Sequence, residues 1–311
     1  MKKGVLLVNL GTPEAPTTAA VRTYLRKFLA DKRVIDMPRA LWLPILYGMI
    51  LPVRPAKSAA LYRKIWTSEG SPLLLFAQQQ AKQLQVLLPE QIVQYAMCYS
   101  DPTVDTALES MAAAGVTELT VIPLYPQYST TTIGSVFDQV ASHYMHSMTQ
   151  PKLHLVDSFY EDEKYIQILV DQIKQELINQ PDAHLVFSYH GIPQKYADHG
   201  DPYPKQCTTT TKRVMDLIGD VPYTQSYQSK FGPSQWLLPA TAQTMRDLPG
   251  QNVTNIIVIT PGFVADCLET IQEIDHENRE YFMESGGKKF TYIHPFNGNE
   301  KFTNLLASLV E

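Results

Sequence analysis

The sequence is poor in cysteine, and this shortage excludes several classes of protein. Its 311 residues contain only three cysteines, Cys98, Cys207 and Cys267, which lie far apart and form no C-x-x-C pair. They cannot build a disulfide framework or a four-cysteine cluster, so their spacing indicates a reducing compartment. The apolar stretch that follows Lys3 is too short for a secretion signal and is typical of a first β-strand. We therefore expect a cytoplasmic protein.

The chain also lacks an excess of basic residues and the glycine-rich loops that bind nucleotides. Its formal net charge is −5, whereas a nucleic-acid-binding surface needs clustered lysine and arginine. The first apolar run ends in Leu10-Gly11-Thr12-Pro13, which matches neither the G-x-G-x-x-G nor the Walker sequence. We expect a small-molecule partner and no nucleic acid.

Long apolar runs are scarce as well. The longest is ALWLPILYGMILPV at residues 40–53, and a membrane-spanning helix needs about 20 apolar residues. The run is therefore too short to cross a bilayer. It predicts either a buried helix or a lip that contacts a membrane surface or an apolar ligand.

Short apolar runs alternate with longer amphipathic stretches along the whole chain. Near-continuous apolar runs are what strands buried on both faces require, and their alternation with helices predicts an α/β fold with parallel sheets flanked by helices. The alternation begins afresh after residue 157, where we place a boundary between two lobes. The pattern predicts helices over residues 101–114 and 163–179, and strands over residues 4–10, 91–99, 118–124, 152–156, 184–189 and 255–260.

Two loops that follow apolar strands carry groups able to handle protons and metal ions. His190 follows the strand at residues 184–189, where an imidazole in the crevice above the sheet can take a proton or bind a metal. Glu269, Glu273 and Glu277 recur at every fourth residue, so each advances about 40° around a helix and the three share one face. The alternatives are a structural histidine and a solvated helix face.

A third loop, PLYPQYSTTTIGS at residues 123–135, is rich in hydroxyl groups and contains two tyrosines. Such a loop can donate hydrogen bonds to ligand carboxylates while the tyrosine rings pack on a flat apolar ligand. The alternative is a Ser/Thr-rich helix cap.

Several ordered segments together resemble the ferrochelatase family, and the resemblance runs from Val5 to the end of the chain. Segments of this length in this order are far more specific than any single motif. They are LLVNLGTPEAPT from Leu6, GSPLLLF from Gly70, PLYPQYSTTTIGS from Pro123, FSYHGIPQKYADHGDPYP from Phe187, YQSKFGPSQWL from Tyr227 and TPGFVADCLETIQEI from Thr260.

The resemblance implies a chelatase-like fold of two Rossmann-like lobes with a porphyrin cleft between them. One lobe would comprise residues 1–157, with a porphyrin-binding lip at residues 38–72, and would be completed by a final helix at residues 298–311. The other lobe, residues 158–297, would carry His190 and Glu269. The implied activity is insertion of Fe²⁺ into protoporphyrin IX to form protohaem, the terminal step of haem biosynthesis.

Matching motifs also imply the residues of the site. His190, Glu269 and Asp266 would be catalytic, and His190, Glu269, Glu273 and Glu277 would contact the metal. The porphyrin would be bound by Leu10, Arg54, Lys57, Tyr62, Ser71, Tyr128, Ser129, Trp236 and Phe263.

Two features of the chain bear on cofactor and substrate. Some family members hold an iron–sulfur cluster with four cysteines, and the three scattered cysteines of this chain exclude such a cluster. We therefore expect no tightly bound cofactor. Fe²⁺ is expected as a substrate. Members that act on coproporphyrin tend to carry a tyrosine just before the glycine of the first loop; Leu10 stands there and favours protoporphyrin IX.

Other assignments stay open at this stage. The chain could be a coproporphyrin III ferrochelatase, a chelatase for another tetrapyrrole and metal, or a haem- or metal-binding protein without turnover. A peripheral membrane contact and an iron-donor protein are further expected partners.

Overall fold

A computed structural model describes residues 2–145 and 147–310, so Met1, His146 and Glu311 lie outside the described residues. It divides into two compact units. The first is bounded by Met1–Tyr125, Ser129–Ser158 and Gly298–Glu311, and the second by Pro126–Tyr128 and Phe159–Asn297. Each unit contains one four-stranded sheet.

The first unit is built around a parallel sheet with the strand order β2-β1-β3-β4. Its strands are β1 (Lys3–Asn9), β2 (Ile92–Met97), β3 (Glu118–Pro123) and β4 (Lys152–Leu155). Its helices are α1 (Thr18–Leu29), α2 (Arg39–Ile45), α3 (Leu51–Ile65), α4 (Pro72–Leu87), α5 (Val104–Ala113), α6 (Ile133–Tyr144) and, from the end of the chain, α12 (Glu300–Ser308).

The second unit repeats this plan with the order β6-β5-β7-β8, again all parallel. Its strands are β5 (His184–His190), β6 (Tyr223–Gln228), β7 (Asn255–Ile259) and β8 (Lys289–Ile293). Its helices are α7 (Glu163–Asn179), α8 (Gln194–Asp198), α9 (Tyr203–Ile218), α10 (Thr241–Asp247), a 3₁₀ turn at Pro249–Gln251, a π-helix at Glu269–Asn278 and α11 (Arg279–Glu284).

The degree of burial explains which strands could be predicted from the sequence and which were missed. The side chains of Ile256, Ile257 and Val258 in the inner strand β7 are fully buried, as the apolar run predicts for a strand covered on both faces. The predicted α/β fold with parallel sheets is confirmed. Two strands at the edges of the second sheet were missed: β6 has the polar sequence YTQSYQ and β8 the mixed sequence KFTYI.

Side-chain caps set the helix starts. The Asp162 carboxylate accepts hydrogen bonds from the N–H groups of Lys164 and Tyr165, so α7 begins where the sequence predicts. In α5 the cap is the Thr103 hydroxyl, which accepts the Thr106 N–H at 3.1 Å. This helix therefore begins two to three residues later than predicted.

The apolar run at residues 40–53 is only partly buried. It forms most of α2, a single π-helical turn at Leu46–Ile50 and the start of α3. Trp42, Leu46 and Leu51 are buried, whereas the exposed fractions are 61 % for Leu41, 69 % for Met49 and 58 % for Val53. None of the helices in the described part of the chain has the length and apolarity that crossing a bilayer requires.

Candidate active site

The candidate site lies at the carboxyl ends of three neighbouring strands in the second unit. The chain passes from β5 to β6 on one side and returns to β7 on the other, so a topological switch point lies beside β5. Ligands of parallel α/β sheets bind at such points. His190 is the last residue of β5, Ser229 directly follows β6, and Phe263 lies in the loop after β7.

The imidazole of His190 is half-buried, and one of its nitrogens is fixed by the backbone. Nδ1 lies 2.7 Å from the carbonyl oxygen of Gly191. Because a carbonyl only accepts hydrogen bonds, this contact places the proton on Nδ1 and leaves the lone pair of the neutral ring on Nε2. The Phe263 ring lies 6.4 Å from the imidazole, centroid to centroid. His190 is thus oriented as a proton acceptor through Nε2.

The residue after the histidine has no room for a side chain. A Cβ atom at Gly191 would lie 2.9 Å from the carbonyl oxygen of Gln228 and 3.1 Å from Cε3 of Trp236. The indole of Trp236 therefore packs directly on the backbone beside His190, and Trp236 also forms an antiparallel bridge with Pro193. Glycine at this position lets the ends of β5 and β6 approach each other closely.

Gln228, the last residue of β6, connects His190 with the acidic helix. Its carbonyl oxygen accepts the Gly191 N–H at 2.8 Å. Its side-chain amide donates to the carbonyl oxygen of Glu269 at 2.9 Å and accepts the Ser188 hydroxyl at 2.9 Å. The buried Gln228 thereby connects the backbone beside His190 with the first turn of the π-helix.

Glu273 is held by Ser229, the residue that follows Gln228 in the chain. Ser229 donates its backbone N–H to Oε1 of Glu273 at 2.6 Å and its hydroxyl to Oε2, and the Gln228 amide lies 3.4 Å from Oε2. Ser229 reaches this position with a φ of 67°, a left-handed conformation that costs a non-glycine residue about 1–2 kcal/mol.

The charge environment of Glu273 reflects the surrounding groups. Burial raises the pKa of this carboxyl, the hydrogen bonds from Ser229 and the electrostatic interaction with His190 oppose that rise, and the negative charge of Glu269 adds to it. The net pKa is raised above the ordinary glutamate value. His190, Glu269 and Glu273 therefore act on one another electrostatically.

The acidic row lies on a π-helix, whereas its four-residue spacing suggested an ordinary α-helix. A π-helix has i→i+5 hydrogen bonds and is frequent at functional sites. The same five-residue spacing appears in the side chains: the Gln272 amide donates to Glu277 at 3.3 Å, and the Asn278 amide donates to the Glu273 carbonyl at 2.7 Å. The side chains of Glu269, Glu273 and Glu277 are all half-buried, so they do not form a freely solvated helix face.

Asp266 is buried, and both of its carboxylate oxygens are engaged. Oδ1 accepts the Thr270 hydroxyl at 2.8 Å, while Oδ2 accepts the Asn297 amide at 2.8 Å and lies 2.9 Å from Nδ1 of His294. The hydrogen bond to Asp266 raises the pKa of the half-exposed His294 imidazole. In this arrangement Asp266 fixes the start of the helix that carries Glu269.

The residues predicted to contact metal are near one another but do not form a ready coordination sphere. Within residues 2–145 and 147–310, no three His, Cys, Asp or Glu side chains are grouped closely enough to hold a metal ion. Cys267, which precedes Glu269 by two residues, is buried, and burial together with the Glu269 charge raises the pKa of its thiol well above the usual range. The row therefore consists of separate carboxylates rather than one closed cluster.

The residues predicted to bind porphyrin are divided between the two units. Tyr128, Trp236 and Phe263 belong to the second unit, where the Tyr128 N–H donates to Gln206 at 2.6 Å. In the first unit Leu10 is half-buried at the end of β1, Arg54 and the exposed Lys57 lie one turn apart on α3, and Tyr62 of the same helix is buried.

Two of the predicted porphyrin-binding hydroxyls are buried within the first unit. The Ser71 hydroxyl accepts a hydrogen bond from Thr12 at 2.8 Å. The Ser129 hydroxyl lies 3.0 Å from that of Thr131. Both serines therefore already have hydroxyl partners inside the protein.

Comparison with solved structures places the fold among the chelatases. The chain matches CbiX, described as the terminal enzyme for biosynthesis of siroheme in denitrifying bacteria, with a TM-score of 0.57 and 14% identity over 99% of this chain and 97% of the other. It matches SirB from Bacillus subtilis with a TM-score of 0.58 and 12% identity over 99% and 94% of the two chains. These likenesses concern the fold.

Sequence comparison is more specific. The ferrochelatase family profile matches residues 2–311. The chain is 48% identical over 309 residues to the coproporphyrin III ferrochelatase of Enterococcus faecalis, covering 99% of both chains. It is 47% identical over 314 residues to the ferrochelatase of Edwardsiella ictaluri, covering 99% and 97%. The chain belongs to the ferrochelatase family.

Sequence reasoning missed three residues of this site: Gln228, Ser229 and His294. Gln228 and Ser229 lie in the segment YQSKFGPSQWL, which is one of the segments that resemble the family. Their contacts depend on backbone geometry, which the sequence does not show. The signal for His294 is its position one residue after the last strand of the second sheet.

The His294–Asp266 pair predicts a pH-dependent contribution to stability. Because the folded-state pKa of His294 is raised, its stabilising effect is complete below the unfolded value near pH 6.5 and is lost as pH rises through the folded-state pKa. The facing charged groups are Asp266, Asp275 and Arg279. We expect His294→Gln to lower the melting temperature by about 1–2 °C more at about pH 5.5 than at about pH 8.5.

The measurement is thermal unfolding followed by circular dichroism at both pH values. His199→Gln, a change at an exposed histidine of the same unit, is the control and should give the same small change at both. An equal loss at both pH values for His294→Gln would show that the pair contributes no pH dependence.

Proposed function

We propose that this chain inserts Fe²⁺ into a porphyrin, with His190 as the acceptor of a pyrrole proton. The reaction converts the porphyrin with its two N–H groups and Fe²⁺ into the iron porphyrin and two protons, so the protein must accept protons as the metal–nitrogen bonds form. The observation that carries this proposal is the 2.7 Å contact between Nδ1 of His190 and the Gly191 carbonyl oxygen, from which the tautomer follows. The basic Nε2 is then available for the porphyrin.

The neighbouring carboxylates support this role electrostatically. A protonated imidazole is stabilised by negative charge nearby, and Glu273 interacts with His190 in this sense. The Gln228 amide holds the backbone of Glu269 at the end of β6, next to the end of β5. We propose that the negative charges of Glu269 and Glu273 stabilise the positive charge of the imidazolium that forms during the reaction.

The acidic row also suits the delivery of the metal. Carboxylate oxygens bind divalent cations, and several separated ligands pass on an ion more readily than one closed coordination sphere would. We infer that Fe²⁺ contacts Glu277, then Glu273 and then Glu269 before it reaches the porphyrin. Asp266, with both oxygens already engaged, takes part by fixing the helix rather than by touching the substrate.

We propose protoporphyrin IX as the porphyrin. The names of the relatives do not support this choice: the Enterococcus relative at 48% identity is named for coproporphyrin III, and the Edwardsiella relative at 47% is named ferrochelatase without a porphyrin. The apolar Leu10 at the end of β1 suits a vinyl group better than a propionate, because a buried carboxylate needs a polar or charged partner. Coproporphyrin III is the second candidate, and the names of the Enterococcus and Lactococcus relatives favour it.

The propionates that both porphyrins carry need cationic partners. Arg54 and Lys57 lie three residues apart on α3 and therefore on the same side of that helix, and an arginine can bind a carboxylate through two hydrogen bonds. We assign these two residues to the propionates. An iron-donor protein stays a prediction.

We further propose that the protein works in the cytoplasm and touches a membrane surface with its partly exposed apolar run. Leu41, Met49 and Val53 are 61 %, 69 % and 58 % exposed, and such a cluster of apolar side chains gains free energy by entering the interfacial region of a bilayer. The macrocycle and vinyl groups of protoporphyrin IX are apolar, so a membrane contact would bring the protein close to this substrate.

The first prediction concerns the substrate. In an anaerobic assay that follows the loss of porphyrin fluorescence with Fe²⁺, we expect kcat/KM for protoporphyrin IX to exceed that for coproporphyrin III by about tenfold or more. Leu10→Tyr should move this ratio toward coproporphyrin III. A reversed ratio in the unaltered protein would select the second candidate, and no fluorescence loss with either porphyrin would refute the proposed activity.

The second prediction concerns the proton acceptor. His190→Ala should lower kcat by a factor on the order of 10²–10⁴, the usual contribution of a positioned acid–base group, while porphyrin binding measured by fluorescence titration stays close to that of the unaltered protein. His199→Ala, which changes an exposed histidine, should leave both quantities unchanged. Near-normal insertion by His190→Ala would remove His190 from this role.

The third prediction concerns the membrane. The variant Leu41→Ser/Met49→Ser/Val53→Ser should no longer sediment with vesicles of phosphatidylglycerol and phosphatidylcholine that retain the unaltered protein. The control Val86→Ser/Ile178→Ser changes two apolar residues elsewhere that are even more exposed, at 74 % and 79 %, and should sediment normally. Equal sedimentation of both variants would exclude a membrane contact through this run.

A further inference from the structure

Ser229 has an unusual backbone and an unusual set of contacts for a serine at the end of a strand. Its φ of 67° lies in the left-handed region, where glycine, asparagine and aspartate are the common residues. In this conformation its N–H donates to Oε1 of Glu273 and its hydroxyl to Oε2. Glycine would adopt the same backbone without strain but would lack the hydroxyl.

These contacts fix the orientation of the Glu273 carboxylate. Each oxygen receives a donor from the same residue, and a carboxylate held at both oxygens cannot rotate about its terminal torsion without losing one of these bonds. The Gln228 amide adds a weaker contact at 3.4 Å from Oε2. A carboxylate has about four acceptor positions, so positions remain for a cation on a carboxylate that already points in a defined direction.

Glu277, the next residue of the row, is held differently. The side-chain amide of Gln272, on the same helix, donates a hydrogen bond to it at 3.3 Å. Glu273, in contrast, is tied to a different element, the end of β6, by two bonds from one residue. The end of β6 holds Glu269 through its backbone carbonyl and Glu273 through its carboxylate.

We propose that Ser229 is a positioning residue for the metal substrate: by holding both oxygens of Glu273 it sets the direction in which that carboxylate meets the incoming divalent cation. This inference rests on the proposed function, and it adds that the strained serine, not the spacing of the glutamates, determines how Glu273 binds the ion. The alternative is a purely structural link between β6 and the π-helix.

The test is the KM for Fe²⁺ in the anaerobic fluorescence assay, measured separately from the KM for porphyrin and from kcat. Ser229→Ala removes the hydroxyl donor, and we expect the KM for Fe²⁺ to rise about tenfold, as loss of a hydrogen bond to a charged group implies, with the KM for porphyrin unchanged and kcat within about twofold. Ser229→Gly should show the same rise while relieving the backbone strain. Ser229→Asn, which tolerates the left-handed backbone and offers an amide donor, should restore most of the affinity.

Controls separate positioning from a structural role. Ser147→Ala removes an exposed serine hydroxyl that donates to the His143 carbonyl in the first unit, and it should change nothing. In a double-mutant cycle with Glu273→Gln, the effect of Ser229→Ala on the KM for Fe²⁺ should disappear, because no carboxylate is left to orient.

Two results would overturn the proposal. One is an unaltered KM for Fe²⁺ in both Ser229→Ala and Ser229→Gly. The other is a parallel loss of kcat, porphyrin affinity and melting temperature, which a structural link predicts. Absence of insertion by the unaltered protein would instead refute the proposed function itself, and with it this role of Ser229.

Discussion

The candidate site depends on one buried amide side chain, that of Gln228. Its backbone carbonyl holds the residue after His190, and its side chain holds the first residue of the π-helix. A buried amide must satisfy both its donor and its acceptor, since a buried polar group without a partner costs free energy. Here the partners come from β5 and from the segment after β7, so satisfying one glutamine fixes the relation between a proton acceptor and a row of carboxylates. Ser229, the next residue, extends the same arrangement to Glu273.

The fold could be predicted because burial leaves a plain mark on the sequence. Inner strands such as β7 are apolar at nearly every position, and the helix α7 starts at a side chain that caps it. The edge strand β6 was missed for the opposite reason: half of it is open to solvent, so the sequence YTQSYQ has no apolar run. The start of α5 was misplaced because Thr103 competes with Asp101 as a cap, and only the coordinates show which side chain turns toward the helix.

The location of a candidate site residue could be predicted where that residue directly follows a strand. His190 follows an apolar strand and the glutamates begin after another, and parallel strands bring their carboxyl ends to one edge. The remaining features depend on tertiary geometry. The π-helix keeps glutamates four residues apart on nearly one side, as an α-helix does, so the spacing does not distinguish the two. The left-handed backbone of Ser229 has no signature in a one-letter code, and neither does the engagement of both oxygens of Asp266.

For the proposed role of His190 as a proton acceptor, the hydrogen bond between its Nδ1 and the Gly191 carbonyl restricts how the ring can be regenerated. In many enzymes an imidazole receives a proton on one nitrogen and releases another from the opposite nitrogen to a basic partner. A peptide carbonyl is far too weak a base to serve as that partner, so this ring cannot work as a two-ended conduit. Whatever proton enters through Nε2 leaves through Nε2 as well, toward a carboxylate or water on the same side. In the proposed reaction the product must therefore leave the side of Nε2 before the ring can be discharged there.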